Sequence, residues 1–274
     1  GGNGLSTNTD GNAAEASNSA GGYMNGFNTD GFDLTDGASN GDIVKNNGEN
    51  YVAYQWKING GTTSSNTAGV KPEMIVVKGL DGSHSWYVWH KAFGDSVDNE
   101  YMTFNYIADN PGVVTASSNQ LWGNTEFSST LIEIGGWDVV NRNAQEYRVI
   151  CFASIQGYSK VGTYVGNGDA NGPFVYTGFQ PAWVMSKSDN VSTDDSWVLM
   201  DNQMNPTNDG AATNQWADSA NADNANDYDI DFLSNGFKVR TTSQNWNGST
   251  KDYYYLAFAH QPLVTSGGIP CLAR

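Results

Sequence analysis

Groups that ligate metals, relay protons or grip phosphate are scarce in this sequence, whose 274 residues include two cysteines, three histidines and 13 lysines plus arginines. Two cysteines cannot build a disulfide framework. Cys151, inside the apolar run Tyr147 to Ala153, reads as a small buried hydrophobe, and Cys271 lies near the C-terminus with nothing to support a bond between them. Of the histidines, His84 and His90 flank the Trp86–Trp89 run and His260 stands far away. Six residues of strand at ~3.3 Å each separate the first two by roughly 20 Å, which excludes a metal pair. No nucleophile elbow, phosphate loop or Cys/His ligand set is present. The strand-borne acids Glu73, Glu133, Asp138 and Asp201 do not form the paired cluster a glycosidase needs. The expectation is therefore a protein that is not an enzyme. Helical periodicity is lacking too, since no window repeats apolar residues at i, i+3, i+4 and i+7 beyond a couple of turns. No apolar run approaches the ~20 residues of a membrane span, and no charged n-region precedes an apolar h-region, so membrane insertion is not expected. Finally, a net charge of −16 repels phosphate backbones and argues against a nucleic-acid partner.

What the sequence does have is glycine, small polar residues and aromatics. Thirty-two glycines, with Asn, Ser, Thr and Asp filling the gaps between apolar runs, describe many short strands joined by turns. Most of the acids are aspartates in those turns, where Asx hydrogen bonds account for them. Asp194-Asp195 and the stretch Asp223 to Asp231 also set oxygen ligands at alternate positions, as a Ca²⁺ loop would. They lack the glycine and terminal glutamate of an EF-hand, so a polar loop is the preferred reading and no cofactor is expected, with Ca²⁺ the weaker alternative. Residues 1–30, nearly free of large apolar side chains, read as a linker or extended arm that orders by packing on a neighbour.

The main feature is an internal repeat. Lys71-Pro72-Glu73-Met74-Ile75-Val76-Val77-Lys78, followed by Trp86-Tyr87-Val88-Trp89, returns as Gln180-Pro181-Ala182-Trp183-Val184-Met185-Ser186-Lys187, followed by Trp197-Val198-Leu199-Met200. Pro to Lys is six residues in both copies. A second part, a Gly-aromatic turn leading through a polar loop to an aromatic strand, occurs at Gly136-Trp137-Asp138-Val139 before Tyr147 to Ala153. It occurs again at Gly236-Phe237-Lys238-Val239 before Tyr253 to Ala259, and upstream at Gly31-Phe32-Asp33-Leu34 before Tyr51 to Trp56. Proline opens an edge strand where a missing N–H costs nothing. The glycines are expected to supply a positive φ at a tight turn while each following aromatic fills the core. Between the copies, Gly157 to Gly168 and Gly172 to Phe179 read as a β-hairpin across an Asn-Gly turn.

The expected architecture is all-β, a tandem of antiparallel β-sandwich units joined by that hairpin. It divides into an arm (1–30), the tail of an upstream unit (31–62), a first full repeat (63–156), the junction (157–179), a second full repeat (180–262) and a C-terminal tail (263–274).

The sequence resembles a repeated domain of tailed-phage virion structural proteins, particularly of phages infecting marine bacteria and cyanobacteria. The resemblance rests on Tyr51 to Gly61, Lys71 to Ile75, Trp86 to Lys91, Gly157 to Gly168, Gly172-Pro173-Phe174-Val175-Tyr176-Thr177-Gly178-Phe179, Leu233 to Phe237, and Gly268 to Arg274. It implies lectin-like or jelly-roll-like β-sandwich units in a tail fibre, spike or other appendage subunit with no known catalytic residues, exposed on the virion exterior after assembly in the host cytoplasm. The partners to expect are other copies of the chain, a trimer being favoured, and other virion proteins, with host-surface carbohydrate as a further candidate. Capsid decoration or a tail adaptor is the alternative, and a polysaccharide depolymerase ranks last.

Glycan contact would need exposed aromatic rings beside amide and carboxylate groups. The tryptophans set in polar segments are the candidates: Trp122 in Asn119 to Asn124, Trp216 in Asn214 to Asp218, and Trp246 in Gln244 to Gly248. The competing role for the same three is packing against a neighbouring subunit.

Overall fold

The computed structural model describes residues 5–7, 12–17, 22–28, 31–35, 51, 53, 70–94, 99–105, 112–117, 119–189, 196–204, 206–208, 213–219, 224–225 and 230–260. In chain order the strands are β1 (Leu5–Ser6), β2 (Ala16–Ser17), β3 (Tyr23–Asn28), β4 (Gly31–Thr35), β5 (Met74–Gly79), β6 (Trp86–His90), β7 (Glu100–Thr103), β8 (Val114–Thr115) and β9 (Tyr147–Phe152). There follow β10 (Ser159–Val165), β11 (Phe174–Tyr176), β12 (Pro181–Ser188), β13 (Val198–Asp201), β14 (Thr213–Trp216), β15 (Asn224–Ala225), β16 (Ile230–Leu233), β17 (Gly236–Val239) and β18 (Asp252–Ala259). Helix among the described residues is a 3-10 turn at Lys91–Phe93 and two single α-turns, α1 (Asp138–Asn141) and α2 (Gln244–Asn247). The fold is all-β with antiparallel sheets, as the composition indicates.

The two copies of the repeat build the same ladder. In the first, the order is β8-β7-β6-β5-β9, and in the second, β10-β18-β12-β13-β14-β15. Thus β5 lies between β6 and β9 as β12 lies between β13 and β18. Loop hydrogen bonds repeat as well. Phe104 N donates to Trp86 O and Ala217 N to Trp197 O, while Lys91 N donates to Glu73 O and Asn202 N to Ala182 O. Trp86 N is capped by Asn105 Oδ1 at 2.8 Å, and Trp197 N by Asp218 Oδ2 at 3.0 Å.

These sheets do not sit in series. They pack face to face, and a third sheet of order β11-β17-β16 covers the far side of the second. Period-2 alternation sorts the side chains of the middle sheet. Val161, Trp183, Met185, Leu199, Tyr254 and Leu256 join the core shared with the first repeat, whereas Tyr164, Val184, Val198, Met200, Tyr253, Tyr255 and Ala257 join the core under the third sheet. Sealed on both faces, β12 and β13 carry continuous buried runs instead of alternating ones. Across the shared core, Tyr254 stands edge-on to His90 and Phe93, and Phe104 edge-on to Trp197, with the Trp197 indole donating to Thr103 O at 2.8 Å. Met74 and Val76 correspond to Trp183 and Met185 by the Pro-to-Lys spacing, so equivalent faces meet, as in an isologous dimer interface contained in one chain.

Several sequence expectations change. β10 and β11 do not form a hairpin with each other; β10 pairs with β18 and β11 with β17, so the junction feeds two different sheets. Asp138 to Asn141 turns into α1 whereas its counterpart Gly236 to Val239 extends as β17, because β11 supplies a partner there. Neither Gly136 nor Gly236 has a positive φ. Gly236 is required for another reason: a Cβ would lie 2.1 Å from Val175 O, so β11 can approach only a glycine. Cys151 is exposed, since β9 is an edge strand whose alternate residues Val149 and Cys151 face outward. Cys271 lies outside the described residues.

The upstream Gly-aromatic motif lies in a hairpin. Leu34 lies opposite Met24 and Gly31 opposite Asn28 in β3–β4, as Val239 lies opposite Ile230 and Gly236 opposite Leu233 in β16–β17. Tyr51 to Trp56 falls almost wholly outside the described residues. Of the N-terminal arm, Asn12 and Glu15 pack on the first repeat of their own chain. Glu15 N donates to Leu80 O, its carboxylate pairs with Arg148 at 3.0 Å, and the fully buried Lys78 donates to His84 O and Asn12 O. Burial with carbonyl partners alone lowers the Lys78 pKa.

Candidate contact surface

Of the three candidate tryptophans, the structure buries two. Trp122 bridges to Ile134 and is fully buried; its indole donates to Glu100 O at 2.9 Å and its ring meets Phe127 edge-on. Trp246 sits in α2, capped by Ser243, and is fully buried in the core beneath the third sheet. Both are therefore core residues, offering no ring to a glycan or a subunit. Polar neighbours misled the sequence reading, because Asn and Gln here satisfy turns around an aromatic plug: Asn247, itself fully buried, bonds Asn167 Oδ1, Asp169 O and Thr241 O. Trp216, on β14, is half-buried against the second core and keeps a partial surface. The three tryptophans do not form a common site. The Asp-rich stretch is described only in part. Its Asp231 pairs with Arg240 at 2.5 Å, and no group of metal-ligating side chains occurs among the described residues.

Exposed aromatic surface lies elsewhere, on β11. Its three residues have one face on the core: Val175 is buried while Phe174 is 47% and Tyr176 64% exposed. The strand is held at both ends. Val239 N donates to Pro173 O, Thr177 N and Gly178 N donate to Asn235 O, and the Thr177 hydroxyl donates to Phe179 O at 2.6 Å. Gly178 takes a φ of +86°, which a side chain would strain. The outward residues form two cross-strand rows, Phe174–Lys238–Asp231 and Tyr176–Gly236–Leu233. The Phe174 ring leans toward the space a Gly236 side chain would fill, 3.1 Å from that point. Lys238 is tied down by Gly172 O at 2.7 Å, and the Asp231–Arg240 pair closes the far side.

The result is an apolar shelf of two rings fixed by their backbone and rimmed by one lysine and one ion pair. Rigid aromatic rings lose little rotamer entropy on contact and each can bury roughly 150–250 Å². The shelf suits stacking on a flat apolar face, whether the C–H face of a sugar or a partner's side chains. A sequence signal for it existed in Pro173-Phe174-Val175-Tyr176, since a short strand with Val facing in must send both aromatics out.

Neither the curated proteins nor the solved structures contain a match to this chain. A protein-family model, by contrast, matches residues 2–70 and again 67–262, so the second match spans both complete repeats and the core they share. The chain belongs to this family, DUF7483, a domain of unknown function.

Proposed function

We propose that this chain is a structural protein of a phage virion, a subunit of a tail-fibre or spike-type appendage, and that the Phe174–Tyr176 shelf is one of its contact surfaces. The observation that carries this reading is the use of the repeat: two copies seal each other into a three-layer β-body while a rigid aromatic pair is held out on the outermost sheet. Large aromatics cost solubility at the surface and are ordinarily drawn inward. Support from the sequence comes from the resemblance to phage appendage repeats, whose most specific string, Gly172 to Phe179, is the segment that forms the shelf. Homo-oligomeric assembly, host-surface glycan binding and an exterior position on the particle belong to the same proposal. A purely architectural role in capsid decoration or as a tail adaptor shares the shelf but assigns it to a neighbouring subunit.

The test is to place the chain on assembled particles by electron microscopy and to replace Phe174 and Tyr176 together by Ala. Particles that assemble but no longer adsorb to host cells assign the shelf to the receptor. Failure of assembly assigns it to a subunit contact. A chain absent from purified particles overturns the proposal.

A further inference from the structure

A strand at the edge of a sheet presents unpaired backbone groups, and a fold that is to stay monomeric shortens or caps it. Of the six edges of the three packed sheets, four are treated in that way. β8 and β15 are two residues long. On β10, Val161 N donates to the Ser154 hydroxyl at 3.0 Å, and Ser159 and Ile155 exchange both backbone hydrogen bonds. On β16, the Asn208 side-chain amide accepts from Phe232 N at 2.9 Å and donates to Phe232 O at 3.1 Å. The other two edges are β11, which carries the shelf, and β9.

β9 is the longer of the two. Leu80 N donates to Glu146 O, so by antiparallel alternation Arg148 and Ile150 turn their backbone groups toward β5, while Tyr147, Val149 and Cys151 turn theirs outward. Among the described residues no hydrogen bond reaches those outward groups. Val149 is 44% exposed and Cys151 is exposed beside it, and no lysine, proline or bulge interrupts the strand. Its one charge, Arg148, is neutralised by Glu15 of the same chain.

The second repeat shows what such an edge accepts. Phe152 lies opposite Met74 as Phe258 lies opposite Trp183, so Tyr147, Val149 and Cys151 correspond to Tyr253, Tyr255 and Ala257. On β18 those three face an added antiparallel strand, β10, with Tyr253 opposite Tyr164, Tyr255 opposite Gly162 and Ala257 opposite Lys160. Gly162 is required there because the Tyr255 ring lies over it, and a Cβ would meet the Tyr255 hydroxyl at 2.6 Å. On β9, Val149 takes the place of Tyr255 and asks for no glycine opposite. A second β9 laid antiparallel about Val149 sets the two valines against each other and Tyr147 against Cys151 on either side, one medium pair between two large–small pairs. The strand is thus complementary to itself. Charge agrees, since in a chain of net charge −16 this edge lets two copies meet with no carboxylate opposite another.

We propose that β9 pairs edge to edge with β9 of a second copy, antiparallel about a two-fold axis at Val149, so that the two first-repeat sheets run on as one. The inference rests on the homo-oligomeric part of the proposed function and sharpens it to an isologous contact that closes at two copies, where the resemblance favours a trimer. In the experiment, the full chain is followed by analytical ultracentrifugation across the micromolar range beside Val149→Thr and Val149→Pro. The Val149 N–H makes no bond to β5, so proline leaves the ladder intact, which a melt verifies, yet by symmetry it removes two hydrogen bonds from the pair. The parent and Val149→Thr should be dimeric, and Val149→Pro should associate roughly thirtyfold more weakly, as loss of two ordinary hydrogen bonds implies. Register is read separately. With Cys151→Ser and Cys271→Ser in place, Val149→Cys should give a disulfide-linked dimer under mild oxidation, because opposed residues of a hydrogen-bonded pair stand ~5.5 Å apart between Cα atoms. With Cys271→Ser alone, Cys151 should not cross-link, since the two thiols are offset by about 13 Å along the strands. A dimer indifferent to Val149→Pro, or cross-linking through Cys151 but not at position 149, would overturn the proposal. So would a parent that stays monomeric, which gives the edge to a strand of another protein. The measurements use isolated protein and so separate from the virion question: a dimer missing from particles keeps the contact and loses the appendage reading, and a monomer found on particles does the reverse.

Discussion

Acid should weaken this protein through one residue in its shared core. His90 is 1% exposed, faces Tyr254 and Phe93 between the two repeats, accepts from Ala92 N through Nδ1, and leaves Nε2 without a partner. Burial, helped by the nearby Lys91 charge, depresses its pKa to about 4, while Glu73 and the Tyr255 and Gly162 backbones act the other way. The ring is therefore neutral in the folded state, whereas the unfolded chain takes up a proton near pH ~6.5. Since the unfolded state binds the proton first, stability contributed by the neutral ring is complete above about pH 6.5 and falls as pH drops toward 4. At 1.36 kcal/mol per pKa unit, the loss reaches about 2 kcal/mol at pH ~5 and about 3 kcal/mol at pH ~4. Urea unfolding of the parent and of His90→Phe, followed by tryptophan fluorescence from neutral pH to about 4, isolates this contribution, because the carboxylates titrate in both. The parent should lose about 3 kcal/mol more than the variant across that window. Parallel stability curves would refute the claim that His90 is buried neutral between the repeats.

Two further expectations concern the core. Trp122→Ala and Trp246→Ala should each cost about 3–5 kcal/mol in chemical denaturation, as large core truncations do, and Trp216→Ala clearly less, because its ring is only half-buried. Gly236→Ala should detach β11 or lower the melting temperature by several degrees, since the new methyl meets Val175 O at 2.1 Å. An unchanged melt would show that β11 can retreat from β17.

The repeat was readable because its signature lies in the strands themselves. Pro72 and Pro181, Lys78 and Lys187, Trp86 and Trp197 occupy matching places in matching ladders, and period-2 patterning survives any packing. What could not be read was which surfaces meet. Trp183 and Val184 are neighbours in sequence with the same apolar character, yet they enter different cores, a fact fixed only by the placement of distant sheets. The junction failed for a similar reason: local turn chemistry at Asn171-Gly172 favours a hairpin, but β17 and β18 offer longer ladders to the two strands. Polar sequence neighbours do not mean polar surroundings, which is why Trp122 and Trp246 lie in the core although their sequence neighbours include Asn, Gln and Gly. Phe174 and Tyr176 were legible from alternation alone, although as part of a family string they drew attention to the fold and away from its surface.

The order of the middle sheet also governs how the chain must be made. One of its inner strands is the last one described: β18 enters between the edge strand β10 and β12, with Ser159 opposite Phe258 and Ser188 opposite Tyr253. Tyr254 and Leu256 complete the core of the first repeat, so that core stays open until β18 has left the ribosome. Contacts so distant in sequence make folding slow, and the unsealed apolar faces of β5 and β6 are hazards for aggregation meanwhile. A nonsense mutation or proteolytic cut before Asp252 would thus open both cores, including the part built from residues far upstream of the break.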